Sequence, residues 1–236
     1  MQAEKSWVTS AGNADVYVVS TLTAGGGPTD IDLYAVSRGA PGVSVAGPWR
    51  GMGMRGNDSA PMALDVLVTP EMRIGDPAAG FGIMMGTVLP WFNVGNAAVS
   101  LGLARAAVDA AISHTTSARF EQIGQTLAEL PTIRAQLARM SIELAVQRSY
   151  LRTAAEAIAA PDQATTLHVL GVKAAANDAA LRITDAAMRV CGGAAFSHHL
   201  QLERFFRDAR AGHVMAPTAD ALYDFYGKAV TGQPLF

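Results

Sequence analysis

Polar and apolar residues alternate along the first third of the chain, and further on apolar residues recur every three to four positions. Asp30-Ile31-Asp32-Leu33-Tyr34-Ala35-Val36 shows the two-residue period of a half-buried strand. Residues 15–22 are β-branched and aromatic and predict a second strand, broken by Gly25-Gly26-Gly27-Pro28. Residues 51–59 read as a loop from their glycines and the Asn57-Asp58 pair. Residues 63–69, stopped by Pro70, predict one more strand.

From about residue 86 the period becomes helical. Residues 96–119 are rich in alanine and leucine, with Val99, Leu103, Ala107 and Ala111 on one face. A second long helix is predicted over 126–158, where Pro131 fits only in the first turns. Pro161-Asp162 separates it from a third over 164–190, closed by Gly192-Gly193, and a fourth over 217–230 begins at Pro217. Short connections between such helices predict an antiparallel four-helix bundle, with no strand beyond residue 95. The expected class is α+β, with a small antiparallel β domain in residues 1–75 and the bundle domain in 76–236.

Composition narrows the function classes. Half of the 236 residues are hydrophobic and 16% are charged, which suggests surface reserved for partners. A net charge of −2 with no basic run argues against nucleic acid and anionic membranes. The single cysteine, Cys191, excludes an internal disulfide and a cysteine-based metal cluster. No 18-residue apolar run and no signal-peptide pattern are visible, so a cytoplasmic location is expected.

Four motifs, in order, carry a resemblance. Lys5-Ser6-Trp7-Val8-Thr9-Ser10-Ala11 runs into Ala14-Asp15-Val16-Tyr17-Val18-Val19. Gly53-Met54-Arg55-Gly56-Asn57-Asp58-Ser59 precedes Leu64-Asp65-Val66-Leu67-Val68-Thr69-Pro70. Arg189-Val190-Cys191-Gly192-Gly193 leads to Leu202-Glu203-Arg204-Phe205-Phe206-Arg207-Asp208. Together they resemble the acyl-CoA dehydrogenase family over nearly the whole chain.

The resemblance implies FAD as cofactor and an acyl-CoA as substrate. Trp7 would lie against the isoalloxazine and the Thr9 hydroxyl would reach its N5/O4 edge, with Ser10 adjacent. Gly192 and Gly193 match the pair that approaches the adenylate, often across a subunit interface, although Arg189 stands near the place of the family's glutamine. Arg119-Phe120-Glu121-Gln122-Ile123-Gly124 holds parts of the family's phosphate-binding motif at altered spacing, so Arg119 is the candidate phosphate contact. Thr218 stands at the threonine of the family's Tyr-Glu-Gly-Thr and completes the cofactor set. Glu203, Arg204, Arg207 and Asp208 read as local ion pairs between helices.

The pattern departs where the chemistry should be. Counting from Arg207, Ala216 falls at the catalytic glutamate, and the alternative position on the first bundle helix counts back to Phe92. His213 is the nearest titratable candidate. His198-His199 lacks further ligands, so no metal is predicted. The family's preceding helical domain and a further flavin-contacting strand would lie ahead of Lys5, supplied by a partner chain or a longer reading frame. Three functions follow: an acyl-CoA dehydrogenase-like oxidoreductase, a flavin monooxygenase on the same scaffold acting on an aromatic or other substrate, and a non-catalytic truncated subunit. The alanine-rich helices offer apolar faces beyond one core's needs, so a homo-oligomer is expected.

Overall fold

The computed structural model describes residues 1–235 and forms two compact units, Met1–Leu89 and Pro90–Phe236. The α+β class read from the sequence is what the structure shows.

The first unit holds two three-stranded antiparallel sheets. Strands β1 (Gln2–Val8), β5 (Ala60–Asp65) and β4 (Val43–Val45) form one; β2 (Val16–Leu22), β3 (Ile31–Ser37) and β6 (Arg73–Ile74) form the other. Alternation places Tyr17 and Val19 inside while Val16 and Val18 face out. They join Tyr34, Val36, Met62 and Leu64 in one core. β5 begins and ends earlier than the predicted 63–69, because its partners run out: Gln2 pairs with Asp65 and Val43 with Leu64.

The first unit closes with a short helix α1 (Gly80–Ile83) and a wide π-turn at Met84–Val88. The second unit is helical, and α2 runs over Leu89–Ser117. It starts seven residues before the predicted Asn96, passing through Pro90 and Gly95. The backbone is helical without a break from Gly80, so Pro90 is no helix start; the wide turn just before it is where its missing N–H is accommodated, and Gly95 faces open space. α3 (Pro131–Ala159) opens with Pro131 in its first turn rather than at 126, and α4 (Thr165–Cys191) ends at Gly192, whose φ of 55° favours glycine. A short turn, α5 (Gly193–Phe196), then leads to α6 (Leu202–Val214) and α7 (Ala219–Val230).

Helix α4 is central, buried along its length and packed by α3, α6 and α7. It runs parallel to α2: Asn93 Nδ2 donates to Val169 O at 2.9 Å and Ser100 Oγ to Asn177 Oδ1 at 2.7 Å. Helix α3 runs antiparallel to it, with Arg182 Nη2 2.6 Å from Glu143 Oε1 near one end and Thr165 Oγ1 donating to Ala157 O at the other. Ala104, Ala107 and Ala111 of α2 share a core with Ala176, Ala180 and Ala187 of α4, the small side chains that close helix contact needs.

Two expectations are corrected here. The fourth leg of the bundle is two helices, since the Leu-Glu-Arg-x-x-Arg-Asp segment is α6 itself rather than a connection. Leu202 and Ala209, seven apart, bury its inner face, and Glu203 and Arg207 pair at i, i+4. A two-residue ladder, β7 (Arg119–Phe120) with β8 (Gln125–Thr126), also lies beyond residue 95. Its turn is closed by Gly124 at φ 66°. Among the described residues no helix is long and apolar enough to cross a membrane.

Candidate active site

In the first unit, β1 carries a bulge. Lys5 pairs with Met62 and Val8 with Ala60, so three steps on β1 oppose two on β5. The bulge turns Trp7 outward to 75% exposure, and its ring meets Trp49 edge-on at 5.6 Å. Trp7 and Thr9 line one groove of 390 Å³ with Lys5, Val18 and Ser20. The Thr9 side chain is exposed and its hydroxyl has no partner among the described residues. Ser10 does a different job. At φ 54° it forms the turn after β1, donating its N–H to Asn57 O and accepting from the N–H groups of Asn13 and Ala14. The structure thus brings Trp7 and Thr9 together on the groove and leaves Ser10 beside it.

In the second unit, Ala216 lies exposed in the joint between α6 and α7. Asn96, one turn after Phe92 on α2, donates Nδ2 to Met215 Sδ at 3.5 Å. The start of α2 therefore meets the joint, and Phe92 and Ala216 lie at the same end of the bundle. A methyl and a phenyl group stand there, and neither accepts a proton.

Sequence reasoning missed Lys173. It is fully buried and donates Nζ to the carbonyls of Gly212 (3.0 Å), Met215 (3.0 Å) and Pro217 (2.8 Å). Burial pushes its ammonium down to about 8. Asn177, one turn on, donates to the same Gly212 carbonyl at 2.8 Å. The signal was available: Lys173 stands on the apolar stripe of α4, in helical register with Val169, Ala176 and Ala180.

His213 lies in the last turn of α6, with Nδ1 3.2 Å from Asp178 Oδ1. The other oxygen of Asp178 accepts from Tyr223 of α7 at 2.8 Å. Burial and this carboxylate push the Tyr223 hydroxyl up to about 12. The His213–Asp178 contact is close but makes no hydrogen bond, so buried Nδ1 of His213 has no hydrogen-bond partner among the described residues.

Thr218 is the N-cap of α7, its Oγ1 accepting from Ala221 N at 3.3 Å. Thr218→Ala should cost the bundle about 1 kcal/mol, read as a lower urea midpoint of the helical signal. An unchanged midpoint would deny the cap any energetic role.

Arg119 and Gly192-Gly193 lie at the opposite end. Since α2 and α4 run parallel in register, the residues after Ser117 and after Cys191 emerge at the same level. Arg119 is exposed in the β7–β8 hairpin, with Nη1 reaching Gly124 O at 3.4 Å. Around both glycines an added Cβ would meet nothing within 4 Å. Phe196 just beyond is 87% exposed. Cys191 is buried, which pushes its thiol up to about 11. His198 Nδ1 contacts Glu203 Oε1 at 2.8 Å, and among the described residues no three metal-binding side chains gather.

Comparison with known proteins places both units. The family model described as "Acyl-CoA dehydrogenase, middle domain" matches residues 1–67, and "Acyl-CoA dehydrogenase, C-terminal domain" matches residues 78–230. Cyclohex-1-ene-1-carbonyl-CoA dehydrogenase of Geobacter metallireducens is 30% identical over 232 residues, 98% of this chain and 60% of that protein. The enzyme of the same name from Syntrophus aciditrophicus is 29% identical over 220 residues, 92% and 52% respectively. Butyryl-CoA dehydrogenase from Megasphaera elsdenii superposes with a TM-score of 0.91 at 26% identity, covering 98% of this chain and 60% of its own. The chain thus spans about half to three-fifths of the length of these relatives.

Proposed function

The chain belongs to the acyl-CoA dehydrogenase family, and on that premise we propose that it forms the middle and C-terminal part of an FAD-dependent oxidoreductase acting on an acyl-CoA or a related acyl substrate. The observation that carries this reading is the pair Trp7 and Thr9, exposed on one groove inside the matched middle domain. Trp7 offers a largely exposed apolar ring set against Trp49, and the unpartnered Thr9 hydroxyl is free to donate to the N5/O4 edge of a flavin. Bound there, FAD would supply the hydride acceptor. Arg119 would meet its phosphates, and Gly192-Gly193 would let its adenylate approach the backbone. Thr218 keeps its hydroxyl proton free for a further contact while its oxygen caps α7.

The two ends of the bundle constrain how the cofactor binds. From Asn93 to Ser117, α2 rises 1.5 Å per residue, about 36 Å in all. One cofactor cannot serve Ala216 and Thr218 at one end and Arg119 and Gly192-Gly193 at the other. Both sets bind FAD only if they serve different molecules, as a second copy of the chain would allow. Exposed Ile142 and Val146, one turn apart on α3, add apolar surface for such a pairing. The helical domain of the family would come from the remainder of a longer protein or from a partner chain.

The test is the absorbance of the whole protein after reconstitution with FAD, with mass by light scattering. We expect flavin bands near one equivalent per chain and a dimer or larger. A colourless monomer at micromolar concentration overturns the reading and favours a non-catalytic subunit. A flavin monooxygenase on this scaffold draws support from His213 beside Asp178 and from the alanine at 216. Oxygen uptake with reduced flavin and no acyl-CoA would favour it.

A further inference from the structure

A lysine in the centre of an alanine-rich bundle needs a reason. Burying an ammonium is unfavourable, and an apolar residue of the same length would fill the space as well. What Lys173 does instead is specific. Its three protons meet three carbonyls, Gly212, Met215 and Pro217, which span the end of α6 and the joint before α7. The end of a helix leaves carbonyls unpaired and carries partial negative charge, so a cation there is favoured. Two of the three carbonyls flank residue 216 directly. A second set of bonds braces the same place: Asn177 donates to Gly212 O, and Ser100 of α2 donates to Asn177 Oδ1.

We propose that Lys173 is a positioning residue: it fixes the Met215–Thr218 joint from inside the bundle and thereby sets where the side chains at 216 and 218 point. It touches neither substrate nor cofactor, being fully buried. The joint's own backbone ties down only its two ends, Met215 N–H donating to Ala211 O at 3.0 Å and Thr218 O accepting from Leu222 N–H at 3.0 Å, while Pro217 between them has no N–H to give. One side chain from α4 therefore determines the aim of a segment on which the proposed chemistry depends.

The first arm of the test is independent of that chemistry. Hydrogen exchange is followed by mass spectrometry on the whole protein, wild type against Lys173→Met and Lys173→Gln. We expect exchange over residues 211–222 to quicken at least tenfold in both variants, while α2 and α3 keep wild-type protection. Unchanged exchange over 211–222 would overturn the proposal. Loosening of the whole bundle would overturn it too, making Lys173 a strut of the core. The second arm rests on the proposed dehydrogenase reading. In an Ala216→Glu background, Lys173→Gln should lower kcat at least tenfold and leave KM for acyl-CoA unchanged; a rise in KM alone would count against positioning. If Ala216→Glu shows no turnover even with Lys173 intact, the dehydrogenase reading falls, and the exchange result still decides the role of Lys173.

Discussion

Glutamate in place of Ala216 is expected to speed flavin bleaching by acyl-CoA by about 10²–10⁴-fold, the usual contribution of a placed general base. Taking the α-proton of an acyl thioester needs an acceptor close to it, and the two places where the family resemblance puts a carboxylate hold Ala216 and Phe92. They lie at one end of the bundle, linked through Asn96 and Met215, and neither side chain can take a proton. The joint is well braced for a new side chain, with the carbonyls on either side of residue 216 held by Lys173. Ala216→Gln is the control, having the shape of glutamate without its basicity, and should stay at the wild-type rate. Stopped-flow bleaching of the FAD-reconstituted whole protein by a panel of acyl-CoAs reads the difference. Fast bleaching by the wild type would place the base elsewhere and remove the main support for a monooxygenase.

The fold was most legible where one face alone decides an element. Tyr17 and Val19 alternate with exposed Val16 and Val18, and β2 formed where that period predicts it; β3 formed at its predicted place too, but with Asp32, Leu33 and Tyr34 all buried, so its faces did not follow the polar and apolar alternation. Gly192 closed α4 as the sequence predicts, whereas α3 opened at Pro131, five residues after the predicted start at 126, because proline belongs in a first turn. Helix α6 was misread because five charged residues between 203 and 210 hide a face of Leu202, Ala209 and Gly212 that becomes visible only against α4. The β7–β8 hairpin depends on Gly124 at positive φ, a conformation that composition does not announce. For the proposed site, the motif around Trp7 falls on β1, and the exposure of Trp7 comes from a bulge set by pairing with distant Met62 and Ala60, which the motif does not announce. Lys173 was legible as an anomaly on an apolar stripe. Its meaning was not, because its three acceptors are backbone atoms some forty residues away.

The same brace makes one glycine expensive to replace. Gly212→Ala is expected to destabilise the helical unit by about 2–4 kcal/mol, combining overpacking with the loss of a buried hydrogen bond. An added Cβ would lie 2.6 Å from Asn177 Oδ1 and 2.7 Å from Ser100 Oγ. These two atoms are bonded to each other at 2.7 Å, and both side chains are buried. Asn177 cannot swing aside without releasing Gly212 O, and a shift of α6 away from α4 would draw that carbonyl off Lys173. Gly102→Ala supplies the contrast. Gly102 is exposed in the interior of α2, with nothing within 4 Å of an added Cβ. There the better helix propensity of alanine should stabilise by about 1 kcal/mol. Urea unfolding followed by the helical signal should move in opposite directions for the two variants. If both moved upward, the contact between α6 and α4 at Gly212 would be looser than its distances imply. The brace on the joint would then have to rest on Lys173 alone.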